Sequence, residues 1–175
     1  MTTTKDFKDH VILGDCLDIL PRLPEGSIDM VLCDLPYGCT ACSWDTRLPL
    51  DRLFAEYRRI VKENGAIVLT ATQPFTTALI NAAPDLFRYD LIWDKVAPVG
   101  FLNAKRMPLR RHESVLVFYR RLPYYDPQFE KGRPYKSKGG DFHAGVYREV
   151  RKKASVNEGR RYPTSVLAFP REMGA

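Results

Sequence analysis

A chain of 175 residues and 20.1 kDa has the length of one domain and can bury a core without disulfide or metal staples. With 45% apolar and 27% charged residues it is not wholesale disordered, and no apolar run approaches the ~20 residues that span a bilayer. The net charge of +6 is unevenly spread: residues 1–94 hold 9 Lys/Arg against 14 Asp/Glu, a net −5, and residues 95–175 hold 18 against 7, a net +11.

His10-Val11-Ile12-Leu13 is a short apolar run ending at Gly14-Asp15, and it predicts a buried strand. Asp15 then caps a helix from Cys16 to Leu23, where Leu17, Ile19, Leu20 and Leu23 repeat at helical intervals. Ile28 to Cys33 predicts a second strand, stopped by Asp34-Leu35-Pro36-Tyr37-Gly38. Pro49 to Lys62 carries Leu50, Leu53, Phe54, Tyr57, Ile60 and Val61 on one helical face. Glu63-Asn64-Gly65 is expected to end that helix in a left-handed cap. Strands follow at Ala66–Thr70, Tyr89–Trp93 and Ser114–Phe118, with a helix from Phe75 to Ala82. Strands alternating with helices indicate an α/β protein with a mostly parallel sheet covered on both faces.

The amino terminus, Met1 to Asp6, has no secretory apolar stretch, so a cytoplasmic location is expected. Cys39 and Cys42 have zinc half-site spacing, but Cys16 and Cys33 fall in predicted elements and no His stands at ligand spacing. Reduced thiols are therefore expected, and no metal site.

Residues 119–163 are rich in Pro, Gly, Lys, Arg and Tyr without periodicity. In a single domain spanning 1–175, they form a basic insert. Aromatics interleave with the cations at Tyr119-Arg120-Arg121, Arg133-Pro134-Tyr135-Lys136, Tyr147-Arg148 and Arg160-Arg161-Tyr162. Such a pattern suits a polyanion, and the interleaved aromatics favour a nucleic acid. The cations expected to touch it are Lys105, Arg106, Arg110, Arg111, Arg120, Arg121, Lys131, Arg133, Lys136, Lys138, Arg151, Lys152 and Lys153.

In open α/β sheets ligands bind beyond the carboxyl ends of the strands, where Asp15 and Asp34 both fall. Asp34 is an acceptor when ionised. The proline after it fixes the backbone and lets the loop aim carbonyls outward. An acceptor carboxylate, free carbonyls and the Tyr37 ring together suit a planar group bearing NH2 donors, such as the exocyclic amine of adenine or cytosine.

Asp34-Leu35-Pro36-Tyr37 resembles motif IV of the amino-directed DNA methyltransferases, commonly Asp/Asn/Ser-Pro-Pro-aromatic. The flanks are similar too. Gly14-Asp15-Cys16-Leu17 and Ser27-Ile28-Asp29 precede it. Glu63-Asn64-Gly65-Ala66-Ile67, Ile92-Trp93-Asp94-Lys95, Gly100 to Lys105, Pro108 to Phe118 and Tyr162 to Leu167 follow in order. The ordered set, from Val11 to Arg171, resembles small phage and prophage members. Leu35 stands where proline is commonest.

The resemblance implies a Rossmann-like, three-layer methyltransferase fold that uses S-adenosylmethionine. It implies methylation of a flipped base in duplex DNA, adenine N6 favoured over cytosine N4, in a bacterial or phage-infected cell, in the setting of restriction-modification. Asp34 and the carbonyls of Leu35 or Pro36 would hold the amine, and Tyr37 would stack on the base. Asp15 and Asp34 would contact the cofactor, Asp15 also serving as a helix cap. Trp93 and Lys95 would line the site. Family members continue with a His-Pro-Thr-Gln-Lys-Pro segment and a glycine-rich cofactor strand of the type Asp-x-Phe-x-Gly-x-Gly. Neither occurs before Met173-Gly174-Ala175. The fold is thus expected to be incomplete on its carboxyl-terminal side, with an open sheet edge or cavity whose apolar surface is exposed unless a partner chain covers it. The missing segment would come from a further stretch or a second chain. The alternative is a truncated, non-catalytic DNA-binding fragment, or one half of a split enzyme.

Overall fold

The computed structural model describes residues 7–39, 42–43, 45–142 and 150–170. Met173 to Ala175, His143, Gly145, Tyr147 and Arg148 lie outside them. Two compact units are present: residues 1–124 with 165–175, and residues 125–164.

The first unit begins without the expected strand. Residues 10–13 are extended but unpaired, and Val11 and Leu13 are fully exposed. A strand needs a ladder partner for its backbone groups, and none reaches this run. Helix α1 spans Cys16–Ile19 and is capped by Asp15, whose carboxylate accepts from the Leu17 N–H at 2.8 Å. The predicted helix to Leu23 changes at Leu20–Arg22 into a 3-10 turn with Pro21 in its first turn, since proline has no N–H to continue the α ladder.

Strand β1 covers Ile28–Asp34, helix α2 Leu50–Ile60 and strand β2 Val61–Ala71. Leu53, Phe54, Tyr57 and Ile60 form the buried stripe of α2 at the spacing of one helical face. Arg59 latches the helix down, donating to the carbonyls of Leu23 and Leu20 at 2.7 and 2.8 Å and to Glu56. The expected left-handed cap at Asn64-Gly65 is absent. The helix ends at Ile60, and the next residue, Val61, is already extended. Glu63, Asn64 and Gly65 bulge within β2, because Ile28 pairs with Val61 whereas Met30 pairs with Ala66.

Helix α3 is Phe75–Ala82, strand β3 Phe87–Val99 and strand β4 Arg110–Phe118. A short strand, Val166–Ala168, closes the unit as the last strand of the chain, β11. The sheet order is β1-β2-β4-β3-β11. β1 and β2 are parallel, as are β3 and β11, while β4 runs antiparallel to both β2 and β3. The expected parallelism thus fails at β3–β4. Residues 100–109 between them are too few for a crossover, and a hairpin results.

Val31 and Cys33 of β1, Ile67, Leu69 and Ala71 of β2, and Leu116 and Phe118 of β4 pack with α1, α2 and α3 in one core. The described helices therefore cover one face of the sheet. The alternate residues turn to the other face, where Met30 and Leu32 are 55% and 66% exposed. β1 is also an edge strand. Among the described residues no helix is long and apolar enough to cross a membrane.

Among its described residues the second unit contains six short strands: β5 (Glu130–Lys131), β6 (Tyr135–Ser137), β7 (Gly140–Phe142), β8 (Val150–Lys152), β9 (Ser155–Asn157) and β10 (Arg160–Arg161). They pair in nested fashion, β5 with β10, β6 with β9 and β7 with β8, all antiparallel. The expected irregular segment is one interrupted two-stranded ribbon. Arg160 lies 4.0 Å over the Phe129 ring and Arg161 4.8 Å over Tyr135, so stacking braces its base.

The bulge gives a test. A Cβ on Gly65 would sit 2.6 Å from Val61 Cγ1 and 2.7 Å from the backbone carbonyl of Asp29. Gly65→Ala should cost about 1–3 kcal/mol through this overpacking, read as a lower urea midpoint with an unchanged slope.

Candidate active site

Asp34 is the last residue of β1 and pairs in register with Thr70 of β2. The register sets both side chains on one face, and the hydroxyl of Thr70 donates to Asp34 Oδ1. The loop then doubles back. Tyr37 donates its hydroxyl to the same Oδ1 at 2.8 Å and lies 3.3 Å from the Thr70 hydroxyl. Two donors thus fix one carboxylate oxygen, and Oδ2 has no hydrogen-bond partner among the described residues. Leu35 is buried in the core, which anchors the tetrapeptide between its two functional ends.

Tyr37 stacks on Phe75 of α3, with ring centroids 5.3 Å apart at 29°. Burial pushes its phenol well above the ordinary range. The Thr70 hydrogen bond opposes this, and the charges of Glu113 and Asp34 add to it. Tyr37 is therefore a neutral hydroxyl donor. Gly38 follows with φ of 64°, a conformation that favours glycine. Its N–H and that of Cys39 both donate to the Asp45 carboxylate, at 2.7 and 2.9 Å. Asp45 is buried, so this clasp is shielded from water. Arg47 completes the loop, donating to the Tyr37 carbonyl at 3.1 Å and lying 5.8 Å over Phe75.

Asp34, Leu35, Pro36, Tyr37, Cys39, Asp45, Trp93, Lys95 and Glu113 line a cleft of about 240 Å³. It brings together the four residues of the tetrapeptide with Trp93 and Lys95. Asp15 does not line it and instead caps α1. Thr70, Asp45, Arg47 and Glu113 were not read from the sequence as site residues. Thr70 carried a signal, since it ends an apolar strand as Asp34 does. So did Glu113, a lone acid beside the apolar run Ser114 to Phe118.

The thiols of Cys16 and Cys33 are raised by burial first and by neighbouring carboxylates second, which leaves them protonated and unreactive. Cys39 and Cys42 are exposed. No cluster that could hold a metal occurs among the described residues.

The expected DNA-contacting cations divide. Lys105, Arg106 and Arg110 are exposed on and beside the β3–β4 connection. Arg111 forms a two-pronged pair with Asp94. Arg120 donates to the Val61 carbonyl and pairs with Glu63, as does Arg121. Those three already hold the first unit together. Lys131, Arg133, Lys136, Lys138 and Lys153 are exposed in the second unit, where Arg151 and Lys152 belong to β8.

No family model matches the chain. Among solved structures, the PvuII DNA methyltransferase, described as cytosine-N4-specific, aligns over 93% of this chain and 57% of its own, at 13% identity and a TM-score of 0.54. The fold is a methyltransferase fold. TTHA0409 from Thermus thermophilus, described as a putative DNA modification methylase, covers 66% of this chain and 56% of its own at 17% identity (TM-score 0.48). M1.HpyAVI in complex with S-adenosylmethionine covers 64% and 52% at 18% identity (TM-score 0.42). The chain spans just over half the length of the structures it matches. The fold met in structure is the one that the sequence blocks imply.

Alkaline pH probes the buried phenols. Tyr57, like Tyr37, is raised chiefly by burial. A folded-state pKa above the unfolded value of about 10 keeps its stabilisation complete below that pH. Stability then falls as the pH rises, because the unfolded chain ionises first. Urea midpoints should drop above about pH 10, and Tyr37→Phe should flatten part of that slope.

Proposed function

We propose that this chain is the base-binding and catalytic part of an amino-directed DNA methyltransferase, acting on adenine N6 in preference to cytosine N4. The observation that carries the reading is the Asp34 carboxylate. Tyr37 and Thr70 saturate one oxygen, and the other is left to accept a hydrogen in a cleft with aromatic walls. The preference for adenine rests on the resemblance alone.

S-adenosylmethionine, present in the solved complexes of M1.HpyAVI and TTHA0409, would supply an electrophilic methyl group on a sulfonium. The acceptor amine is a weak nucleophile because its lone pair is delocalised into the ring. Asp34 Oδ2 accepts one amine hydrogen, and the carbonyl of Leu35 or Pro36 accepts the second. Together they orient the nitrogen and offset the positive charge that develops on it. Tyr37, backed by Phe75, offers its other ring face to a base flipped from the duplex. Neutral Tyr37 adds no charge of its own beside Asp34.

The residues fit the amine half of this reaction better than the cofactor half. Asp34 Oδ2 would already be engaged by the amine. Asp15 spends its carboxylate on a helix cap, and the cleft lining contains no glycine. A further segment or a second chain, paired on the outer edge of β1 against Met30 and Leu32, would complete that half. The exposed apolar edge and the half-length match to solved structures favour this. They equally favour the second reading, a DNA-binding fragment that transfers no methyl group alone.

The second unit would meet the DNA. Residues 125–164 hold ten Lys/Arg against five Asp/Glu, on a two-stranded ribbon of the kind the major groove admits. Cations there neutralise phosphates and release counterions.

Incubation with labelled S-adenosylmethionine and unmethylated duplex DNA, followed by nucleoside mass analysis, should yield an N-methylated base. Asp34→Ala should lower the rate by about 100-fold or more. An absence of transfer with DNA binding retained would assign the fragment reading. The affinity for duplex should fall steeply with salt. Replacing Lys136 and Lys138 together by Gln should reduce the log–log slope by about 2.

A further inference from the structure

The cleft around Asp34 has a second charged group that the reading above does not use. Strand β3 sets Trp93 opposite Glu113 of β4, and Lys95 follows two residues on, on the same face. The Lys95 ammonium lies 2.5 Å from Glu113 Oε1, and each side chain is less than one-fifth exposed. It also lies 4.6 Å from the centre of the Trp93 ring. The indole is itself fixed, since its Nε1–H donates to the Phe169 carbonyl at 3.0 Å. A lysine normally swings on a flexible four-carbon stem. Here a carboxylate and an aromatic face pin it at the lining of the cleft.

We propose that Lys95 is a specificity-determining residue that reads the ring nitrogen next to the target amine. The inference rests on the methyltransferase reading of Asp34. An ammonium has three hydrogens and no acceptor. Glu113 takes one, and the others are available to a ligand in the cleft. Asp34, when ionised, is the converse, an acceptor only.

An acceptor and a donor in one cleft complement an amine beside a bare ring nitrogen. Adenine has that pair at N6 and N1, and cytosine at N4 and N3. Guanine and thymine reverse it, with a carbonyl oxygen beside a ring N–H. Their carbonyl would face the carboxylate and their N–H the ammonium, two mismatches that leave polar groups unpaired in a confined site. Lys95 thus makes the cleft select amino bases over keto bases, without choosing between adenine and cytosine. Glu113 acts through Lys95 as a positioning residue. It also neutralises the ammonium, so the ion pair adds no net charge beside Asp34.

The test uses single-stranded oligo-dA, oligo-dC and oligo-dT of equal length at fixed salt, where no duplex has to be opened. Binding is followed by the Trp93 indole N–H resonance. The wild-type protein should bind oligo-dA or oligo-dC about tenfold more tightly than oligo-dT, as one charged hydrogen bond gained or opposed would give. Lys95→Met keeps the stem and removes the donor, and it should shrink the preference severalfold, leaving only the part that the Asp34 carboxylate supplies. Lys95→Arg should restore the ranking, which a mere cross-strand brace would not require. An unchanged ranking in Lys95→Met, with Asp34→Ala levelling it, overturns the proposal and leaves the amine site standing. If no oligonucleotide moves the Trp93 resonance, both readings fall. Circular dichroism of Lys95→Met guards against a folding defect, and Glu113→Gln provides a second variant. It should weaken the preference for oligo-dA and oligo-dC over oligo-dT.

Discussion

Asp34 is placed by a single parallel register. Cys33 stands opposite Leu69 and Asp34 opposite Thr70. A slip of one residue would exchange the faces of every side chain on β1. Val31 and Cys33 would leave the core, and Asp34 would turn toward the helices. The register is held by the core itself, since Leu69 and Ile67 are almost wholly buried and tolerate no polar substitute. The bulge at Glu63–Gly65 absorbs the mismatch in length between β1 and β2 at the far end, leaving the pairing beside the site regular. The placement of Asp34 and the packing of the core are thus consequences of the same ladder.

The loop after Asp34 adds rigidity of another kind. Leu35 is committed to the core and Tyr37 to Phe75, while the Asp45 carboxylate gathers the next two N–H groups. Hydrogen bonds to a charged acceptor are stronger than neutral ones, and burial sharpens that difference. A carboxylate whose neighbours are fixed in this way does not have to be reoriented when an amine arrives, which is the physical content of electrostatic preorganisation. Replacing the common proline by Leu35 is consistent with this. The position trades some backbone stiffness for a side chain anchored in the core.

The tetrapeptide was legible because its chemistry is contiguous in the chain. The helical stripe of α2 and the strands ending at Asp34 and Thr70 were legible through periodicity. The rest depends on elements that meet only in three dimensions. Lys95 and Glu113 stand 18 residues apart and meet through the β3–β4 hairpin, whose antiparallel sense the alternating pattern did not convey. Asp45 lies in a stretch without periodicity. Residues 10–13 looked like a strand because apolar content alone cannot say whether a ladder partner exists. The ribbon of the second unit was missed for the opposite reason. Its pairs are two or three residues long and interrupted by Gly132, Pro134 and Gly139, too short for any period to emerge.

The two faces of the sheet divide the labour. One is sealed by α1, α2 and α3. The other carries Met30, Leu32 and Asp34 in a row along β1, beside Val68 and Thr70 of β2. Residues i, i+2 and i+4 of a strand share a face. The apolar surface and the Asp34 carboxylate are therefore one continuous strip. Any element that covers Met30 and Leu32 to remove them from water is led along the strand to Asp34. In the proposed enzyme the hydrophobic gain of closing that strip and the delivery of the methyl donor to the amine would be a single event. The exposed edge would then be the part of the site that a second half of the fold completes.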